Sequence, residues 1–139
     1  MECTCVRHRD IPGASKLFLD LLQHPDRLGS FYHHLPINAE AYARAAAEIQ
    51  IPDDRRKALV DALRPLNPGN PNLDRLAQPG TVAVLTGQQV GLFSGPSYTV
   101  YKALTAVKLA RELESRGIPA VPIFWLATED HDFAEVNHC

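Results

Sequence analysis

Two short stretches hold most of the residues able to do chemistry. The first, residues 86–96, reads TGQQVGLFSGP. Its glycines, Gly87, Gly91 and Gly95, permit backbone angles and close approaches that a Cβ would block. Gln88 and Gln89 add amide donors and acceptors, and Ser94 a hydroxyl. Together they suit the floor of a small-molecule pocket. A glycine-rich turn kept for packing alone is the competing reading. The second stretch groups Glu129, Asp130, His131 and Asp132 in TEDHDF. Three carboxylates around one imidazole favour its charged form and can orient it for proton transfer. The same set has the chemistry of a cation site. A solvated acidic cap for a following helix is the plainer alternative. Tyr98 and Lys102, four residues apart, share a helical stripe from which the ammonium can reach a phosphate or carboxylate.

The first stretch does not fit the common phosphate motifs. No Lys-Ser or Lys-Thr pair follows Gly91 or Gly95, and the GxGxxG spacing is absent.

These residues need elements to position them. TVAVLTG (residues 81–87) is β-branched and apolar on both faces, the pattern of a strand buried in a parallel sheet. Residues 97–117 predict a helix with Val100, Leu104, Val107 and Leu113 near its apolar face and Lys108, Arg111, Glu112 and Glu114 opposite. Gly117 is placed to stop it. IPAVPIFWLAT (residues 118–128) predicts a second strand. Strand, helix, strand is a right-handed βαβ crossover. The fold class is therefore α/β, a Rossmann-like βαβ core with an incomplete parallel sheet. Ligands of such sheets bind beyond the carboxyl ends of the strands, so both polar clusters are expected to face one crevice.

Residues 1–75 predict a helical lead-in without a strand. Helices are expected over 15–23, with Ser15 as cap and Leu17, Phe18, Leu21 and Leu22 on one face, over 38–50, and over 52–66, with Leu59 and Leu63 paired. The turn-rich connection 67–80 is expected to break any helix and to mark the boundary. Residues 76–139 would be the first part of the core domain.

Composition narrows the classes. The 139 residues carry a formal net charge of −2, which gives no reason to expect nucleic acid or an anionic membrane as partner. No apolar run approaches the roughly 20 residues that span a bilayer. Glu2, Arg7, Arg9 and Asp10 occupy the place of an export signal's apolar core. Cys3, Cys5 and Cys139 form no disulfide framework, so a reducing cytoplasm is the expected location. Cys3, Cys5 and His8, with Cys139 or His138, offer metal ligands, but the cysteines lie closer in sequence than structural zinc sites space them. No metal centre is assigned. The sequence stops at EDHDFAEVNHC directly after a strand signal, so it is expected to be part of a longer protein.

The combination of TGQQVGLFSGPSYTVYKALTAVKLARELE and VPIFWLATEDHDFAEVNH resembles the bacillithiol biosynthesis cysteine-adding enzymes, over about residues 65–138. The resemblance implies a ligase that joins L-cysteine to glucosaminyl malate, a Rossmann-like core, and a C-terminal coiled coil that supports a homodimer of the full-length protein. It implies catalytic roles for His131, Asp132 and Asp130, with His131 as base or orienting group for the incoming cysteine amine. Gly87, Gln88, Gln89, Gly91, Ser94, Gly95, Tyr98, Lys102 and Glu129 would bind substrate or nucleotide. The cofactor is open, a nucleotide such as ATP being one option. The core also resembles nucleotidyl transferases such as pantothenate synthetase. Their HxGH motif would fall on Phe93, Ser94, Gly95 and Pro96, and both histidines are missing. Two other readings stay open: a non-catalytic ligand-binding α/β remnant, and a nucleotidyl transferase-like enzyme of other substrate.

Overall fold

The structure, a computed structural model, describes residues 4–35, 38–130 and 132. The chain forms two compact units, Met1–Ala45 and Ala46–Cys139.

In the first unit, Ser15 caps α1 (Lys16–Gln23). Its hydroxyl accepts the Phe18 amide N–H at 3.2 Å, the donor that a first helical turn leaves free. The expected apolar face is there, yet no residue of α1 is buried. Asp20, on the same helix, accepts from Lys16 Nζ at 2.5 Å and from Arg27 at 3.2 Å. Helix α2 (Ala39–Glu48) begins after Asn38, whose side chain accepts the Ala41 N–H at 2.9 Å.

The second unit holds α3 (Asp53–Leu63), α4 (Pro71–Leu76), β1 (Val82–Gln89), α5 (Ser97–Ser115) and β2 (Ala120–Ala127). Helix α4 overturns the expectation that residues 67–80 contain no helix. The prolines that disfavour a helix interior are harmless at its start. Pro71 occupies the first turn, where its missing N–H costs nothing, and Asn70 caps the Asn72 N–H at 3.0 Å. Leu73 and Leu76, one turn apart, then bury together with Val60 of α3 and Val121 of β2, and Leu63, Ala77 and Ile123 complete this cluster. Helices α3 and α4 thus pack with the sheet. The division between units falls at 45/46, whereas the reading from turn signals put a boundary near residue 75.

Two arginines stitch this layer to the strands. Arg56, 5% exposed, donates to the carbonyls of Leu76 and Thr81 at 2.8 and 2.9 Å. Arg75 donates to the Ala120 carbonyl at 2.9 Å and forms an ion pair with Glu114 of α5.

The two strands pair in parallel, from Val82 beside Ala120 to Gln89 beside Ala127. Helix α5 is the crossover and packs on both strands. It buries Ala106, Ala110 and Leu113, spaced four and three residues apart, so small side chains let the helix lie close to the sheet. This corrects part of the expected apolar face: Leu113 is buried and Val107 half-buried, but Val100 and Leu104 are 50% and 58% exposed. Of the expected face, Leu113 lies on the inner side with the alanines, which are weak in any hydrophobic count, while Val100 and Leu104 lie on the outer one. The helix ends as Gly117 predicts. Gly117 N–H bonds to Glu114 O at 2.9 Å, and Ile118 N–H to Leu113 O at 3.0 Å, a Schellman closure.

Burial of the strands on both faces is realised only in part. Val82, Ala120 and Val121 are buried at one end, while Leu85, Trp125 and Leu126 remain mostly exposed toward the other. The α3–α4 cluster reaches Val121 and Ile123, and among the described residues none beyond Ile123 belongs to it.

Candidate functional site at the carboxyl ends of the strands

Parallel pairing carries the two strand ends to one edge of the sheet. Gln88 and Gln89 are the last two residues of β1, beside Leu126 and Ala127. Gly87 makes that pairing possible. A Cβ there would stand 2.7 Å from the Trp125 carbonyl oxygen, inside van der Waals contact.

Beyond β1 the chain turns sharply into α5. A short 3₁₀ turn spans Leu92–Ser94, and both Phe93 (φ 50°) and Ser94 (φ 77°) take left-handed backbone angles that cost a non-glycine residue energy. Gly95 follows at φ 73° and ψ −165°, a region nearly closed to other residues. Pro96 then precedes the first turn of α5. Strained backbone at a strand-to-helix turn is commoner at ligand sites than elsewhere. Phe93, 84% exposed, enters the sequence reading only as a position that lacks the HxGH histidine, not as a site residue. A phenylalanine between Gly91 and Gly95 was its only signal.

Beyond β2 a tight turn follows. Thr128 N–H bonds to Leu126 O at 2.9 Å, and Thr128, Glu129 and Asp130 are exposed. Asp130 meets the first cluster directly: its Oδ2 accepts from Gln89 Nε2 at 2.9 Å. Its Oδ1 accepts the Asp132 backbone N–H at 3.3 Å, a local turn of the kind short acidic side chains favour. Glu129 accepts from the Trp125 indole at 3.3 Å. His131 lies outside the described residues, as do Cys3, His138 and Cys139.

Behind these groups the polar contacts continue into α5. Lys102 Nζ donates to Gln88 Oε1 at 2.9 Å and lies 5.9 Å from the centre of the Tyr98 ring. Gln88 Nε2 donates to Gln89 Oε1 at 2.7 Å and stands 3.5 Å from the Tyr98 hydroxyl. Gln88 is 6% exposed, the most enclosed member of the group. The structure therefore brings Gln88, Gln89, Tyr98, Lys102 and Asp130 into one bonded set, with Glu129 and Asp132 on the adjoining turn. Ser94 is exposed on the loop.

Two hollows lie elsewhere in this unit. Hollows of about 360 and 470 Å³ surround Arg56, the second of them reaching Thr81 and Val82 at the start of β1. Seven residues of strand, about 23 Å, separate that end from Gln89. The polar set at the strand ends is an open ledge, and its chemistry is that of a surface holding a polar ligand by amide and carboxylate groups.

A parallel strand–helix–strand unit with its polar groups at the carboxyl edge defines a Rossmann-like α/β domain. The family model described as "Bacillithiol biosynthesis BshC, N-terminal Rossmann-like domain" matches residues 1–139, and the chain belongs to that family. A protein of Solibacter usitatus named "Putative cysteine ligase BshC" is 64% identical over 138 residues, 99% of this chain and 26% of its own length. Proteins of the same name from Koribacter versatilis and Geobacillus kaustophilus are 41% and 36% identical, each over 96% of this chain and 26% of their own length. The chain thus spans about a quarter of these curated relatives. Among the described residues no helix is long and apolar enough to cross a membrane.

Proposed function

We propose that this chain supplies the N-terminal, Rossmann-like part of a cytoplasmic ligase that joins L-cysteine to glucosaminyl malate in bacillithiol biosynthesis. The observation that carries this reading is the Gln89–Asp130 hydrogen bond, which joins the two family-like motifs at the edge where α/β folds bind ligands. Membership of the bacillithiol family supports the substrate class. Amide formation from a carboxylate and an amine needs the carboxylate activated, and a nucleoside triphosphate is the expected activating group. Gln89 and the turn from Gly91 to Gly95 would hold the substrate or nucleotide. Asp130 and Asp132 would flank His131, which orients or deprotonates the attacking amine.

The test is a graft. This segment replaces the matching quarter of the Solibacter usitatus protein, and condensation of L-cysteine with glucosaminyl malate is measured. The parental graft is expected to condense them, and His131→Asn and Asp132→Asn to lower the rate by about 10²-fold or more each. A folded graft without condensation would refute the substrate assignment, and undiminished rates in both variants would remove the catalytic roles.

A further inference from the structure

We propose that Lys102 is a positioning residue that fixes the direction of a hydrogen-bond chain running from α5 through Gln88 and Gln89 to the acidic turn after β2. An ammonium group can only donate, so Gln88 must turn its oxygen toward Lys102, at 2.9 Å. Its nitrogen then faces the Gln89 oxygen at 2.7 Å, and the Gln89 nitrogen faces Asp130 Oδ2 at 2.9 Å. A carboxylate can only accept, so the far end demands the same direction. Reversing Gln88 would set its nitrogen against the ammonium and its oxygen against the Gln89 oxygen; reversing Gln89 would set its nitrogen against the Gln88 nitrogen and its oxygen against the carboxylate. Gln88 is 6% exposed, so water has little room to replace a lost partner there. Charged ends make the terminal bonds the strong ones, and each bond polarises the next.

The sequence reading gave Lys102 a direct role on a phosphate or carboxylate. In the structure its ammonium is directed at Gln88, behind the exposed ledge, and acts on the ligand-facing groups through two amides. Asp130 in turn holds the Asp132 N–H through its other oxygen, so that bond too depends on the chain. Its consequence for substrate rests on the ligase reading; the chain itself does not.

The test therefore follows the Asp132 backbone N–H, the last donor in the series, by hydrogen exchange in the 139-residue chain. Lys102→Met is expected to speed its exchange about fivefold, a coupling ordinary for members of one bonded network. Lys102→Arg, which still donates, is expected to stay near the parent. The discriminating comparison is made in a Gln89→Met background, where Lys102→Met should have no further effect. A plain charge attraction between Lys102 and Asp130 would persist there. Unchanged exchange in Lys102→Met, or equal acceleration with and without Gln89→Met, overturns the proposal. Should Lys102→Met fail to fold, Gln88→Met cuts the chain one link further on and faces the same comparison. None of these readings needs turnover, so they succeed or fail independently of the ligase assignment.

Discussion

Single side chains in this protein do their work through the number and kind of partners they hold. Lys102 and Asp130 each have one kind of bond to offer, and that limitation gives the amides between them a direction. Asp20 shows the electrostatic counterpart. The Lys16 hydrogen bond, aided by Arg27, holds its carboxyl below the usual value of 3.8. A carboxyl depressed on folding stabilises the folded state above the unfolded value, and that contribution is lost as pH falls through the folded one. Replacing Asp20 by Asn is therefore expected to lower the melting temperature at neutral pH, with the gap to the parent closing below about pH 3.9. Thermal denaturation of both chains across that range checks it, and a gap independent of pH would count against the ion pairs as its cause.

The elements are governed by close approach. Gly87 lets β1 lie against the Trp125 carbonyl, and Ala106 and Ala110 let α5 lie on the sheet. Gly87→Ala forces a Cβ to within 2.7 Å of a backbone oxygen, which cannot swing aside as a side-chain tip can. The expected cost is about 1–3 kcal/mol, by analogy with overpacked cores, together with a shift of the neighbouring Gln88 side-chain amide resonances. Urea unfolding reads the first and amide NMR the second; a parent-like midpoint would show that the strands part without penalty. The same feature explains what was hard to read in advance. A hydrophobic period across residues 97–117 weights Val100 and Leu104 heavily and alanine lightly, so it takes in part of the outer stripe. Asn-Pro and Pro-Gly dipeptides read as breakers, while Asn70–Pro71 serves as cap and first turn of α4.

At the scale of the molecule, the second unit presents Leu85, Trp125 and Leu126 on its sheet and Val100, Tyr101 and Leu104 on α5, all of them exposed. The matched relatives are about four times longer than this segment. A site built on one strand pair offers a ledge, whereas the amide synthesis proposed above would need two substrates and an activating group held together and shielded from water. The isolated 139-residue polypeptide is therefore expected to give no measurable condensation of L-cysteine with glucosaminyl malate, while the graft does. Turnover by the isolated chain at a rate comparable to the graft would contradict this.

The sequence alone determined the α/β class, the order strand–helix–strand, the Ser15 cap, the Gly117 stop and the two polar motifs, because each follows from local preferences or short-range periodicity. The adjacency of Gln89 and Asp130, 41 residues apart, was legible only as a consequence of parallel pairing. Tertiary structure decided the rest: which face of α5 lies on the sheet, that residues 71–76 coil into a core helix, and that Lys102 reaches Gln88. Those outcomes turn on how closely two backbones approach and on which polar atoms lose their water. Both are properties of contacts between distant segments, which no window along the chain contains.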